Sequence, residues 1–230
     1  MSRHDDALLI TAHLASPLAG DAPQLDALLE YLLSLHHHKG VPGYKIDRSL
    51  PAPSQAEIPI PIPRRTLGEW EVALCSDPIY PACAEEYVDH VNKRIAVEEA
   101  AMLAPGRRLV VSTTNSWTKS YRLPLRIRRI DRVRWFTVGR PSRVLRVLRR
   151  ATSIGKKISV GYGRVASWEA DPIVRDLSWF APSDSAPVLM RTLPVGAWLP
   201  PGLVGARKDY GAAVPPYWHP GRYTEIVRPA

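Results

Sequence analysis

The chain has 230 residues, 45% of them hydrophobic, a formal net charge of +9 and a pI near 9.8. That content suits one large folded domain or two small ones and excludes a disordered tail. No apolar run reaches the roughly 18 residues of a membrane span, and MSRHDDALLITAHL lacks the order of a secretory signal, so the expectation is a cytoplasmic protein with no membrane partner.

Ala7 to Leu14 (ALLITAHL) predicts a short apolar strand, ended by the turn residues Ser16 and Pro17. In DAPQLDALLEYLLSL, Leu25, Leu28, Leu29, Leu32 and Leu33 fall on one helical face, with Asp21 and Gln24 at capping-box spacing and Pro23 in the first turn. From Lys39 to Pro63 prolines are dense, and IPIPIPRR predicts extended chain, an edge strand or a polyproline-like arm. Glu85 to Leu103 predicts a helix closed by Pro105 and Gly106. Cys75 and Cys83 are too few for a disulfide scaffold and are spaced unlike a metal knuckle, so both read as ordinary thiols.

The positive charge is concentrated. Between Arg107 and Arg164 stand 17 Lys and Arg against one acid, Asp131; the 14 basic and 21 acidic residues elsewhere leave the rest of the chain net negative. A basic block in an otherwise acidic protein is the footprint expected for a polyanion ligand. Arginine supplies most of it, which favours forked phosphate contacts and stacking over a diffuse cation cloud.

Within that block, Leu123, Leu125 and Ile127 alternate with Arg122, Arg126 and Arg128, predicting a strand with leucines inward and arginines outward, and Pro124 moves it towards an edge. Val133 to Val138 follows a tight turn at Asp131 and predicts the second arm of a hairpin. Ser142 can cap a helix through about Thr152, with Val144, Val147, Leu148 and Ala151 on one side and Arg143, Arg146, Arg149 and Arg150 on the other. Gly155 ends it, GKKISVGYGRV forms a glycine loop, and VASWEA closes as a strand.

The order is strand, helix, a long irregular insertion, strand, strand, helix, glycine loop, strand. It predicts an α+β, ferredoxin-like β-α-β-β-α-β domain over residues 1–186, with the insertion at about 36–118. Its two helices would share one face of the sheet, and Arg122, Arg126 and Arg128 would line the open one. RNA-recognition sheets carry aromatics there, which argues against a plain module of that type.

In the loop, Gly155, Gly161 and Gly163 would bring backbone N–H groups close to phosphates, Lys156, Lys157 and Arg164 would add charge, and Tyr162 a stacking face. No G-x-x-x-x-G-K-[ST] is present and the loop opens a strand, so nucleotide hydrolysis is not expected. The segment 187–230, rich in proline and aromatics, predicts an extended tail packed on the domain or on a partner. Asp176, Ser178 and Trp179 are expected in a turn without chemistry.

The turn after the first strand in ITAHLASPL, the leucine-rich PQLDALLEYLL, and IGKKISVGYGRVASWE with its proline-rich tail resemble the repeat-associated RNA-binding (RAMP) superfamily of CRISPR proteins. Within it the chain is most similar to the subunits that cap the crRNA 5′ handle in type IV (Csf) effector complexes. The resemblance implies a non-catalytic role without cofactor or metal: gripping the guide RNA handle and seating backbone and large subunits in defence against foreign DNA. Target DNA near the PAM is a further partner it suggests, and it makes the insertion a thumb-like element. The RNA-binding residues expected are Gly155, Lys156, Lys157, Gly161, Tyr162, Gly163, Arg164, Arg122, Arg126, Arg128, Arg143, Arg146 and Arg150.

Two alternatives stand beside this reading. Relatives in the superfamily cleave precursor crRNA without metal, and His36, His37 and His38, with Tyr44 and Lys45 nearby, are the candidates for such an endoribonuclease. Adjacent residues point in different directions, and cations also suit a helix C-terminus. The second alternative is an interaction module whose arginines meet an acidic protein partner.

Overall fold

The computed structural model describes residues 6–37, 58–82, 84–93, 120–196 and 198–230. The first half holds β1 (Asp6–Leu14), β2 (Leu18–Ala19), α1 (Leu25–His37), β3 (Arg64–Leu67), β4 (Trp70–Ala73) and β5 (Glu85–Lys93). Then come β6 (Tyr121–Arg129), β7 (Arg132–Gly139), α2 (Pro141–Leu148), β8 (Val165–Pro172), β9 (Phe180–Ala181) and β10 (Val188–Leu189). The last elements are β11 (Leu193–Pro194), β12 (Ala206–Ala212) and β13 (Tyr223–Pro229). The protein is mixed α+β, and no helix among the described residues is long and apolar enough to cross a membrane.

The period-two pattern of β1 buries Leu8, Ile10 and Ala12 on one face of an antiparallel sheet of order β7-β1-β8. Ile10 pairs with Trp135 on one side and Ala170 on the other. Both helices cover this face: Leu25, Leu28, Leu29 and Leu32 of α1 and Val144, Val147 and Leu148 of α2 share one core with Trp135 and Trp168. The indole rings lie 5.9 Å apart, and their N–H groups donate to the carbonyls of Pro23 and Ala151, so the burial leaves no polar group unmet there. Along the outer edge of β7 runs residues 74–79, where Ser76 N–H donates to Phe136 O at 2.8 Å and Ile79 and Arg134 exchange a pair of bonds.

Several expectations are corrected here. β6 and β7 do not form a hairpin: β7 joins the central sheet, while β6 lies between β2 and β5 in a second sheet. The Leu14 N–H captures the carbonyl of Asp131 at 2.7 Å, so the chain turns onto β1 at that point. Glu85 to Lys93 is strand, not helix; 94–103 lies outside the described residues. Opposite β6 it sets Glu86 against Arg128, Tyr87 against Ile127 and Val91 against Leu123, and these cross-strand pairs outweigh local helix propensity. Pro124 falls in the half of β6 that β2 does not reach, so the edge reading applies there. Leu123 at the far end is half exposed rather than core.

Capping also differs from expectation. Asp21 accepts from Arg128 instead of closing a box with Gln24, whose carbonyl accepts the Leu28 N–H. α2 begins with Arg140 as its cap residue and Pro141 in the first turn, leaving Ser142 inside the helix, and it ends at Leu148 rather than Thr152. Of the proline-rich stretch, residues 58–63 are irregular, Ile62 is buried in the main core, and 39–57 lies outside the described residues.

The C-terminal segment is not an extended tail. It forms a sheet of order β11-β13-β12, and Leu193, Val214, Ile226 and Val227 share a second core with Leu67 and Val72 of the β3–β4 hairpin. The described strands of 36–118 are therefore divided between two sheets, with residues 74–79 bridged to β7, rather than set apart as one projecting element. A buried knot ties the halves together: Arg191 donates to Asp26 at 2.7 Å, to the Tyr217 hydroxyl at 2.6 Å and to the Cys75 sulfur at 2.9 Å. Burial pushes the Cys75 thiol up, which keeps it neutral and unreactive. Cys83 lies outside the described residues.

Candidate nucleic-acid interface

α2 contains no acidic residue. Its core-facing valines and leucine leave Arg143 and Arg146, and Arg149 and Arg150 just after it, on the exposed side. None of the four is held by a carboxylate among the described residues. The chain then folds back at once: Ser153 bridges Arg164, Ile154 N–H donates to Gly163 O, and Val165 N–H to Thr152 O. Exposed Arg164 is thereby brought beside the end of the helix.

The glycine loop is tied down rather than free. A side chain at Gly163 would place Cβ 1.9 Å from the Ile154 carbonyl oxygen, and one at Gly155 would meet Leu18 and the Ala19 carbonyl at 2.6 and 2.8 Å. Both residues have positive φ, so only glycine lets the backbone pack this closely. The Lys156 N–H donates to Ala19 O, Gly163 N–H to Pro17 O, Gly161 N–H to Ile158 O and Arg164 N–H to Ser16 Oγ. This corrects the expected role of Gly161 and Gly163: both amides are used inside the protein, that of Gly163 against the turn at residues 15–17, and are not offered to phosphates. The charge is offered instead by side chains, because Lys156, Lys157 and Arg164 make no ion pair among the described residues.

Tyr162 packs against the Ala19, Leu125 and Ile127 cluster and donates its hydroxyl to Asp89 at 2.9 Å. That hydrogen bond raises the Tyr162 phenol, and the Asp89 carboxyl is lowered first by the His90 N–H and then by Tyr162. Its ring is used to clamp the loop onto the second sheet. Gly161 meets nothing and remains at the exposed tip with Ile158 and Val160.

The strand arginines separate. Arg122 and Arg126 are exposed and unpaired among the described residues. Arg128 is buried: it donates to Glu86, to Asp21 at 2.7 Å and to the Gly20 carbonyl at 3.1 Å, with its guanidinium 4.4 Å above the Tyr80 ring. Burial opposes its charge, but the bonds to Glu86 and Asp21 win and hold its pKa above the ordinary value. Arg128 is thus a structural cation, a correction to its expected place on an open RNA-facing sheet. The open face of the central sheet carries Arg132 and Arg134 instead, together with Glu169, Asp171 and a His13 to Glu169 contact at 2.8 Å. It is mixed in sign, and the alternation Arg132-Val133-Arg134-Trp135 was the sequence signal for it.

Gly20 joins the two halves of the basic surface. Its N–H donates to Arg126 O at 2.8 Å, and the aliphatic stem of Lys156 lies across it. The basic surface thus comprises cations without a carboxylate partner among the described residues: Arg143, Arg146, Arg149 and Arg150 around the end of α2, Arg164, Lys156 and Lys157 on the loop beside it, and Arg126 and Arg122 on β6. Such a set can neutralise successive phosphates.

His36 and His37 are the last residues of α1, while His38, Tyr44 and Lys45 lie outside the described residues. Among the described residues, no group of three or more His, Cys, Asp or Glu is placed to hold a metal ion. No protein-family model matches the chain, and no curated protein matches it in sequence.

Proposed function

We propose that the chain is a non-catalytic RNA-binding protein that holds a phosphodiester backbone along this basic tract. In the reading its sequence resemblance suggests, the RNA is the 5′ handle of a crRNA and the setting a type IV CRISPR effector complex. The observation that carries the proposal is the set of exposed cations on α2, the glycine loop and β6 that have no carboxylate partner among the described residues, beside an arginine of the same strand that is neutralised by two acids. Exposed arginines maintained without acidic partners repel one another until a polyanion arrives. A ferredoxin-like core agrees with the order β8-β1-β7, with residues 74–79 beside β7 and two helices on one face. In that reading the outer strand of the sheet is residues 74–79, and β5 and β6 belong to an inserted arm.

The full chain, incubated in chelator with a labelled repeat RNA across a salt series, tests this. Retention that weakens with salt and leaves the RNA unshortened is expected, with the Lys156, Lys157 and Arg164 alanine variant binding more weakly. No retention even at low salt contradicts the proposal. A discrete product that disappears on replacing His36, His37 and His38 makes the protein an endoribonuclease instead.

A further inference from the structure

Between the β3–β4 hairpin and the C-terminal sheet lies an open hollow of about 380 Å³, in the size range of small-molecule sites. Its lining includes Arg65, Thr66, Asp176, Trp179, Phe180 and Trp198. None of these belongs to the basic tract. We infer that the hollow takes one planar heterocycle bearing an anionic group, that is, a nucleobase with its phosphate.

The aromatic walls are held in place before any ligand arrives. The Trp198 ring lies so close to Gly196 that a Cβ there would sit 2.3 Å from it, its far edge approaches Gly68, and its N–H donates to Pro194 O at 3.0 Å. The Trp179 N–H donates to Ala73 O at 2.8 Å. With both indole N–H groups used inside the protein, what the rings present is π surface, suited to stacking a flat ring.

Charge narrows the ligand further. The hairpin carries two adjacent arginines: Arg64 pairs with Glu30, whereas Arg65 points away, exposed and without a partner among the described residues. A free guanidinium at the rim suits a phosphate and opposes a cationic guest. Asp176 uses Oδ1 to accept the Ser178 N–H, which leaves Oδ2 as an acceptor for a ring N–H or exocyclic amine. A purely apolar ligand would leave both groups idle.

The shared chemistry can come from a free nucleotide or from one base splayed out of a strand. Calorimetric titration of the full chain with AMP, adenosine and a 10-nucleotide single-stranded RNA separates them. Expected for a free nucleotide is saturable AMP binding that Arg65→Ala weakens about tenfold, with adenosine unaffected, and that Trp198→Leu removes for both. Expected for a strand base is unsaturable AMP but oligonucleotide affinity that falls in both variants. Alanine at Lys156, Lys157 and Arg164 should leave AMP binding unchanged, so failure here and failure of the basic tract are distinguishable. Arg65→Ala, on an exposed strand, is the variant that decides the matter if Trp198→Leu does not fold. AMP and oligonucleotide binding both indifferent to Arg65→Ala and Trp198→Leu, or both undetectable, would overturn the inference.

Discussion

Arg126 and Arg128 stand two residues apart on the same face of β6 and have opposite tasks. Arg128→Ala removes a buried guanidinium with its bonds to Glu86, Asp21 and the Gly20 carbonyl and its packing on Tyr80, while the two carboxylates left behind are solvent-accessible, and a loss of about 1–2 kcal/mol in urea unfolding is expected. Arg126→Ala should change stability by less than about 0.5 kcal/mol and weaken RNA retention; equal destabilisation by the two would refute this division. Glu30 gives a second residue-scale expectation. Burial first, then the Asp26 carboxylate, raises its carboxyl to about 7 from an ordinary 4.5, against the pull of Arg64. Between those values the folded state keeps a proton the unfolded state has released, so stability falls as pH rises from about 4.5 to about 7 and levels beyond. Glu30→Gln should flatten that decline in urea midpoints measured across the same range.

At the scale of elements, β1, α1, β7 and β8 follow from hydrophobic period alone, since each buries a face whose pattern is local. β5 does not, because EEYVDHVNK is decided by the arginines and leucines of a strand 28 residues downstream. The same holds for the missing hairpin: nothing in the turn at Asp131 tells that β6 pairs elsewhere. The glycine loop was legible as a loop and as basic, but not as a fixed one, since the Gly163 and Arg164 amides are met by Pro17 and Ser16 across the fold. Its rigidity has a consequence. Gly163→Ala forces Cβ into the Ile154 carbonyl at positive φ, whereas Gly161→Ala meets open space and bears only its unfavourable φ. Gly163→Ala should destabilise by more than about 2 kcal/mol, and Gly161→Ala by about 1. Thermal melts of both compare them; a harmless Gly163→Ala contradicts a tied loop.

Across the whole molecule, the segment after β8 is tied to the first half of the chain. The Arg191, Asp26 and Tyr217 knot joins α1 to a segment more than 160 residues away, and such a meeting leaves no mark in sequence spacing. Arg191→Ala strands a buried carboxylate and should cost about 3–5 kcal/mol, read as a lowered urea midpoint; a midpoint within error of the parent would show the knot to be incidental. The basic excess between Arg107 and Arg164, by contrast, was visible in the sequence; the fold sorts its described residues into buried, paired and free cations. The central claim is that the free set acts together on a nucleic-acid backbone. The most direct test is the salt dependence of repeat-RNA affinity for the parent and for the Arg143, Arg146 and Arg150 triple alanine variant. With three phosphate contacts removed, the slope of log affinity against log salt should become shallower by about 2, with the melting temperature unchanged. An unchanged slope would place the RNA elsewhere on the protein, or nowhere on it.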